Sequence, residues 1–321
     1  MITDTSPCPI YFGPELDHSS WLTHENGNRR LDFDPLVYPL ASGGWAYQER
    51  ALSKRNIHFT QQKIIWECME KSQCECGFYM KLKVKNDFLD LPWEEEIITT
   101  YSRMNLSEPA DRLPAIAGIA KAYAKRHTLT YLAGLWKETI AHNLLWQNSE
   151  RNPGPRIRPL VAPTWSWASS RGRTSPLHFS SDTMHIQVIS YKYEPVAGGD
   201  RYSRLITARL HIAGTVAFGA ITNCRDGVVQ MKFEDKTVCV GMDYDISAAG
   251  EDYIEFGTVL PFLLLCDDSG RAVGAVLRCR NKERKEYERI GVSSHVKFDP
   301  FEFTTFHWVL RQATTMELIL I

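Results

Sequence analysis

Apolar residues recur at helical spacing through much of the first 150 residues and alternate with period two beyond residue 164. The first helical pattern is Trp45, Gln48, Glu49 and Leu52, at i, i+3, i+4 and i+7. Pro39 stands upstream, Ser42 is the expected cap, and Gly43-Gly44 lets the backbone turn tightly. Tyr47, Arg50 and Lys54 fall on another face of this helix. Ile57 and Phe59, then Ile64, Trp66 and Cys68, alternate with polar residues around Thr60-Gln61-Gln62 and predict a β-hairpin. His58 points away from the Ile57/Phe59 face.

Further helices are expected behind Asp90, with Trp93, Ile97, Tyr101 and Met104 as the stripe, and behind Asp111, with Leu113, Ile116 and Ala120. Glu94, Glu95 and Glu96 suit the first turn of the former and read as its solvated face. A last helix is expected over 135–147, with Trp136, Ile140 and Leu144 in register.

Pro153, Pro155, Pro159 and Pro163 then mark a linker or wrapped loop. Thr164 to Ser169 alternates and places Trp165 and Trp167 on one face. Strands are expected over 185–193, 204–217, 228–233, 237–242, 256–266, 271–280, 288–292 and 317–321. Turn signals at Gly198-Gly199-Asp200, Asp226-Gly227 and Asp267 to Gly270 separate some of them. The expected class is α+β: a helical first half with one β-hairpin, and an antiparallel β-rich second half packed on the helices. The expected organisation is an arm over 1–30, a helical region over 31–150, a Pro-rich linker over 151–163 and a β-rich region over 164–321.

Charge and composition narrow the partners. The chain carries 37 Lys plus Arg against 38 Asp plus Glu, which argues against nucleic acid as a partner. No apolar run reaches the length of a membrane span, and the polar start lacks the pattern of a secretory signal. The expectation is an intracellular, cytoplasmic protein whose partner is a protein or a small apolar molecule.

Few residues suggest chemistry. Glu49 sits between Trp45 and Leu52, where a carboxylate is either held in a structural ion pair or backbone hydrogen bond, or kept as a functional acid. Glu49 is the one catalytic candidate. Trp45, Arg50, Trp165 and Trp167 are the ligand-binding candidates, although two tryptophans on one face, as Trp165 and Trp167, most often anchor a sheet against helices. Cys68, Cys74 and Cys76 cluster near His58, but C-x5-C-x-C is not the usual zinc spacing, so no metal is expected. Motifs for a phosphate-binding loop, a hydrolase elbow or a zinc protease are absent, and no cofactor is expected.

The order of short blocks carries a resemblance. Gly44-Trp45-x-x-Gln48-Glu49-Arg50-x-Leu52-Ser53-x-Arg55, His58-Phe59 and Trp66-Glu67-Cys68 resemble the last block of the fungal heterokaryon incompatibility (HET) domain. Tyr101-Ser102-Arg103-x-Asn105-Leu106, Asp111-Arg112-Leu113-Pro114-Ala115, Tyr131-x-Ala133-Gly134-Leu135-Trp136 and Ala162-Pro163-Thr164-Trp165-Ser166-Trp167-Ala168-Ser169 are similar to the region downstream of that domain in such proteins. Tyr287 to Val292 resembles a late element of the same proteins. The resemblance implies an intracellular fungal protein related to nonself recognition and regulated cell death, acting through protein contacts. Only about forty residues precede the tryptophan–glutamate block, so the earlier HET blocks are expected to be missing. Ser42-x-x-Trp45-x-x-x-Glu49 also looks similar to the glutamate helix of NAD-cleaving TIR domains, but the NAD-binding sheet of that fold has no counterpart here. The alternative expectation is a cofactor-independent enzyme of the cyclase or isomerase type in a fungal secondary-metabolite pathway.

Overall fold

The computed structural model describes residues 22–25, 28–31, 39–59, 64–77, 79–80, 85–178, 184–223, 229–234, 236–268, 271–293 and 312–321. The chain forms two compact units, Met1–Ser42 with Lys54–Asn86, and Gly43–Ser53 with Asp87–Ile321.

The first unit contains two small sheets. β1 (Leu22–Glu25) pairs with β2 (Asn28–Leu31). β3 (Arg55–Phe59), β4 (Ile64–Cys68), β5 (Ser72–Cys74) and β6 (Tyr79–Met80) form an antiparallel sheet in that order. The hairpin of β3 and β4 therefore continues into strands that local pattern does not predict. Its apolar face is not its buried face: Ile57 and Phe59 are exposed, whereas Ile65 and Glu67 are buried. His58 turns to that buried side and meets the Glu67 carboxylate at 2.9 Å.

The second unit opens with α1 (Gly44–Leu52), whose N-cap position is Gly43 rather than Ser42. Gly44 is buried because its Cα approaches Leu106 and Tyr101 too closely for a side chain. Tyr47 packs against Phe88 and Tyr101, and Gln48 accepts the backbone N–H of Gly118. Tyr47, not Trp45, is therefore the aromatic that α1 turns to the core. Trp93–Ile98 is a π-helical turn that runs into α2 (Thr99–Tyr101). Short 3-10 turns at Pro109–Asp111 and Pro114–Ile116 precede α3 (Ala117–His127), which buries Ile119, Ala120, Tyr123 and Ala124.

The helix expected over 135–147 is replaced. β7 (Tyr131–Leu132) and β8 (Leu135–Trp136) form a hairpin whose two central residues, Ala133 and Gly134, both have positive φ. Helical structure resumes only in α4 (Ile140–Asn143), and β9 (Trp146–Asn148) comes next. Asn143 Oδ1 accepts from the Trp136 backbone N–H at 3.0 Å and from Thr139 Oγ1 at 2.9 Å, closing the segment on itself. The alternation at Thr164–Ser169 is not a strand either. It ends in a 3-10 turn, Trp167–Ser169, in which Ser166 Oγ accepts from the Ala168 N–H. β10 (Thr174–Pro176) pairs with β9.

The rest is one large sheet of β11 (Ile186–Pro195), β12 (Leu205–Asn223), β13 (Val229–Phe233), β14 (Lys236–Met242), β15 (Val259–Asp268), β16 (Arg271–Asn281), β17 (Glu286–Ser293) and β18 (Thr314–Leu320). It is antiparallel except where β17 meets β18. The path β12-β13-β14-β17-β16-β15 closes because β15 also pairs with β12, Val216 opposite Leu263 through Ala220 opposite Val259. Six strands thus make a barrel, filled by residues such as Met231, Phe233, Phe262, Leu264 and Ile290. Leu263 and Leu265, on the other face of β15, belong to a second core with Trp93, Trp136, Trp165 and Trp167. Both faces of β15 are covered, which explains its unbroken apolar run.

The expected α+β class with a helical first half is therefore corrected. Among the described residues 42% are in strands and 22% are helical, and the helices are short, so the antiparallel sheet dominates. Among the described residues no helix is long and apolar enough to cross a membrane.

Candidate functional site

The expected site residues do not converge. Glu49 lies on the exposed side of α1. Trp45 is 44% exposed, and its indole N–H reaches Asp111 at 3.3 Å. Arg50 is half-buried on the same helix. Trp165 and Trp167 are each only 1% exposed and belong to the core of the second unit. The Gly134 carbonyl accepts both the Trp93 indole N–H, at 2.9 Å, and that of Trp167, at 3.0 Å. Two chain segments are thereby pinned to the β7–β8 turn. In the first unit, Cys68 and Cys74 lie on β4 and β5, and among the described residues no group of three or more His, Cys, Asp or Glu is placed to hold a metal.

Trp167 does border a cavity of about 220 Å³ within the second unit. Its buried wall is formed by Ile98, Leu135, Leu145, Trp146 and Trp167, with the polar Asn143 and Thr174 among them. Its mouth is marked by the exposed side chains Glu95, His142 and His178. The wall is assembled from the π-helical turn, β8, α4, β9 and β10, so no single stretch of sequence contains it.

Glu94 is the distinctive residue of this cavity. It sits on the π-helical turn one residue after Trp93, whose indole is fixed on Gly134. Such turns hold an extra residue per turn and recur at functional positions. The side-chain Nδ2 of Asn143 donates to Glu94 Oε1 at 2.6 Å. Burial raises the Glu94 carboxyl to about 7; a backbone N–H opposes the rise and the neighbouring Glu95 charge adds to it. At neutral pH this group is present in both protonation states, so it can give or take a proton.

The back of the cavity is held by buried charge. Arg289 is 1% exposed, lies 3.6 Å from the Trp146 ring centroid, donates to the Leu144 carbonyl at 2.9 Å and pairs with Asp243 at 3.1 Å. Burial pushes Arg289 below and Asp243 above their ordinary values, and each partner's charge opposes that shift. Arg112 is also buried, held 5.5 Å from the Trp167 ring centroid, and burial lowers it to about 10. Both lining indoles thus carry a guanidinium against a ring face.

Three glutamates in a row suit an exposed first turn, so local pattern places Glu94 on a solvated acidic face, and the fold overturns that placement. A signal to the contrary exists: Glu94 stands four residues before Ile98, and Ile97-Ile98 widens the apolar stripe to include its column. No protein-family model, no curated protein and no solved structure matches the chain.

Proposed function

We propose that the second unit is a cofactor-independent acid–base catalyst that moves a proton on a small, largely apolar molecule, a reaction of the isomerase or cyclase type. One observation carries this reading: the Glu94 carboxyl, held by Asn143 at 2.6 Å and raised by burial to about 7, lines a cavity of about 220 Å³ whose wall mixes tryptophan and aliphatic with polar side chains. Matching the group's titration to neutral pH is what general acid–base chemistry needs. Glu94 is the acid or base. The remaining lining orients the substrate and keeps water low around the reacting atoms.

The test is a panel of small ketones, alkenes and epoxides incubated with the full chain in D2O, with no metal or cofactor added. Deuterium uptake or rearrangement is read by mass spectrometry. The expected result is turnover of at least one class by the wild type and its loss in Glu94→Gln. No turnover of any class, or turnover unchanged by that substitution, overturns the proposal.

A second reading is favoured by a different observation. The residue order resembling HET proteins includes Trp45 and Leu52, which face solvent on α1, and in the first unit Phe59, which is 79% exposed. A HET-like intracellular fungal protein acting through protein contacts would use such outward apolar residues. Expression in a filamentous fungus, with growth scored for wild type and Trp45→Ala, separates the readings. Growth arrest relieved by Trp45→Ala but not by Glu94→Gln supports protein contacts, and unaffected growth counts against them.

A further inference from the structure

The acid–base reading of the cavity can be taken further, because Glu94 is held in a specific way. Asn143 is buried, and its amide has one orientation only. Its Oδ1 takes two donors, the Trp136 backbone N–H and Thr139 Oγ1, so its Nδ2 must face Glu94. Glu94 Oε1 is therefore tied to a fixed donor. That tie holds the carboxyl in one orientation at the cavity.

The lining restricts what that carboxyl meets. Glu94 and Glu95 are there with His142 and His178, and no lysine or arginine is among the described residues that line the cavity. An engineered apolar cavity of about 150 Å³ takes one benzene, so 220 Å³ takes about nine non-hydrogen atoms at the same filling. A carboxylate of this basicity removes a proton from carbon only where an adjacent carbonyl stabilises the carbanion as an enolate.

We infer that Asn143 is a positioning residue that holds the Glu94 carboxyl for proton transfer, and that the substrate is a carbonyl compound of about nine non-hydrogen atoms with a removable α-proton. In the step, the α-C–H bond breaks, the proton forms an O–H bond on Glu94, and the electron pair moves into the enolate. The same oxygen returns a proton to that carbon or to its conjugated γ-carbon. Atoms and electrons balance, with no other reactant. The titratable groups around Glu94 are Glu95 on the same turn, Tyr123 on α3, His142 on α4 and His178 beyond β10.

The test uses the full chain in D2O with ketones of about six to about fifteen non-hydrogen atoms. Uptake of deuterium at the α-carbon is expected to peak near about nine atoms. Asn143→Ala is expected to lower kcat by about 10- to 100-fold with little change in KM, because orientation and not binding is lost. Asn143→Asp keeps the acceptor for the Trp136 N–H and the side-chain shape. It sets a second carboxyl beside Glu94, so the rising limb of the pH–rate profile is expected to move up by about one unit or more. Melting temperatures report whether each variant is folded. Glu94-dependent turnover of alkenes or epoxides with no exchange of ketones overturns the carbonyl assignment while leaving the acid–base proposal standing. A folded Asn143→Asp with the wild-type kcat and pH profile overturns the positioning role. No turnover of any compound overturns both.

Discussion

Replacing Glu94 by glutamine should stabilise the protein at neutral and alkaline pH while removing its proton-transfer group. Glutamine has the same shape, and its side-chain oxygen can still accept from Asn143 Nδ2, so packing and that hydrogen bond are kept. What is lost is a group that burial holds at about 7 instead of the ordinary 4.5. The sign comes from linkage. Below about pH 4.5 the carboxyl is protonated in both folded and unfolded chains and has no effect on stability. As pH rises the unfolded chain ionises first, so the folded state loses stability until the folded carboxyl also ionises at about 7. Each pH unit between the two titrations is worth about 1.4 kcal/mol, which sets a ceiling of roughly 3 kcal/mol. Because the cavity opens to solvent, about 2 kcal/mol is the expected value. Urea denaturation of wild type and Glu94→Gln at a series of pH values reads this directly. The stability difference should be small near pH 4, grow in favour of the variant up to about pH 7, and then stay level. A difference that does not depend on pH, or a wild type more stable than the variant at pH 8, would refute the reasoning.

Two further substitutions probe what holds the cavity in place. Gly134→Ala puts a Cβ 2.6 Å from Trp167 Nε1 at a residue with φ +92°, so a loss of about 2 kcal/mol or more and a shifted tryptophan fluorescence are expected; an unchanged melting curve would contradict the role given to that turn. Arg289→Met leaves Asp243 buried without its partner and should cost about 3 to 5 kcal/mol, most of which Asp243→Asn in the same chain should restore; losses that simply add would show that the two groups act independently.

Some of the molecule is legible in local pattern. Several strands of the large sheet start and stop within a residue or so of where alternation and turn residues place them, as at Val229–Phe233 and Arg271–Asn281, whereas Leu205–Asn223 runs six residues past its expected end at 217. Alternation is a property of neighbouring residues and survives without knowledge of the partner. The helix expected over 135–147 fails because Gly134 and Asn143 each impose a local geometry that competes with it, a positive-φ turn and a side-chain closure. The Thr164–Ser169 alternation fails for a related reason: prolines precede it and Ser166 caps a turn within it. Periodicity marks one apolar face on α1 and one on β3, and in both the opposite face is turned inward.

From its sequence alone this protein is read as a helical first half and a β-rich second half, with near-zero net charge and 11% aromatic residues to build a core. The tertiary structure decides which of those aromatics face a cavity and which carboxylate has its protonation altered by burial. Closure of the barrel depends on β12 meeting β15, and the Glu94 site depends on Asn143, forty-nine positions away, arriving beside it. Periodicity reports on residues three or four apart, whereas desolvation is set by whatever covers a group in space, so Glu49 lies exposed on α1 while Glu94, in a run of acids, has its carboxyl raised by burial.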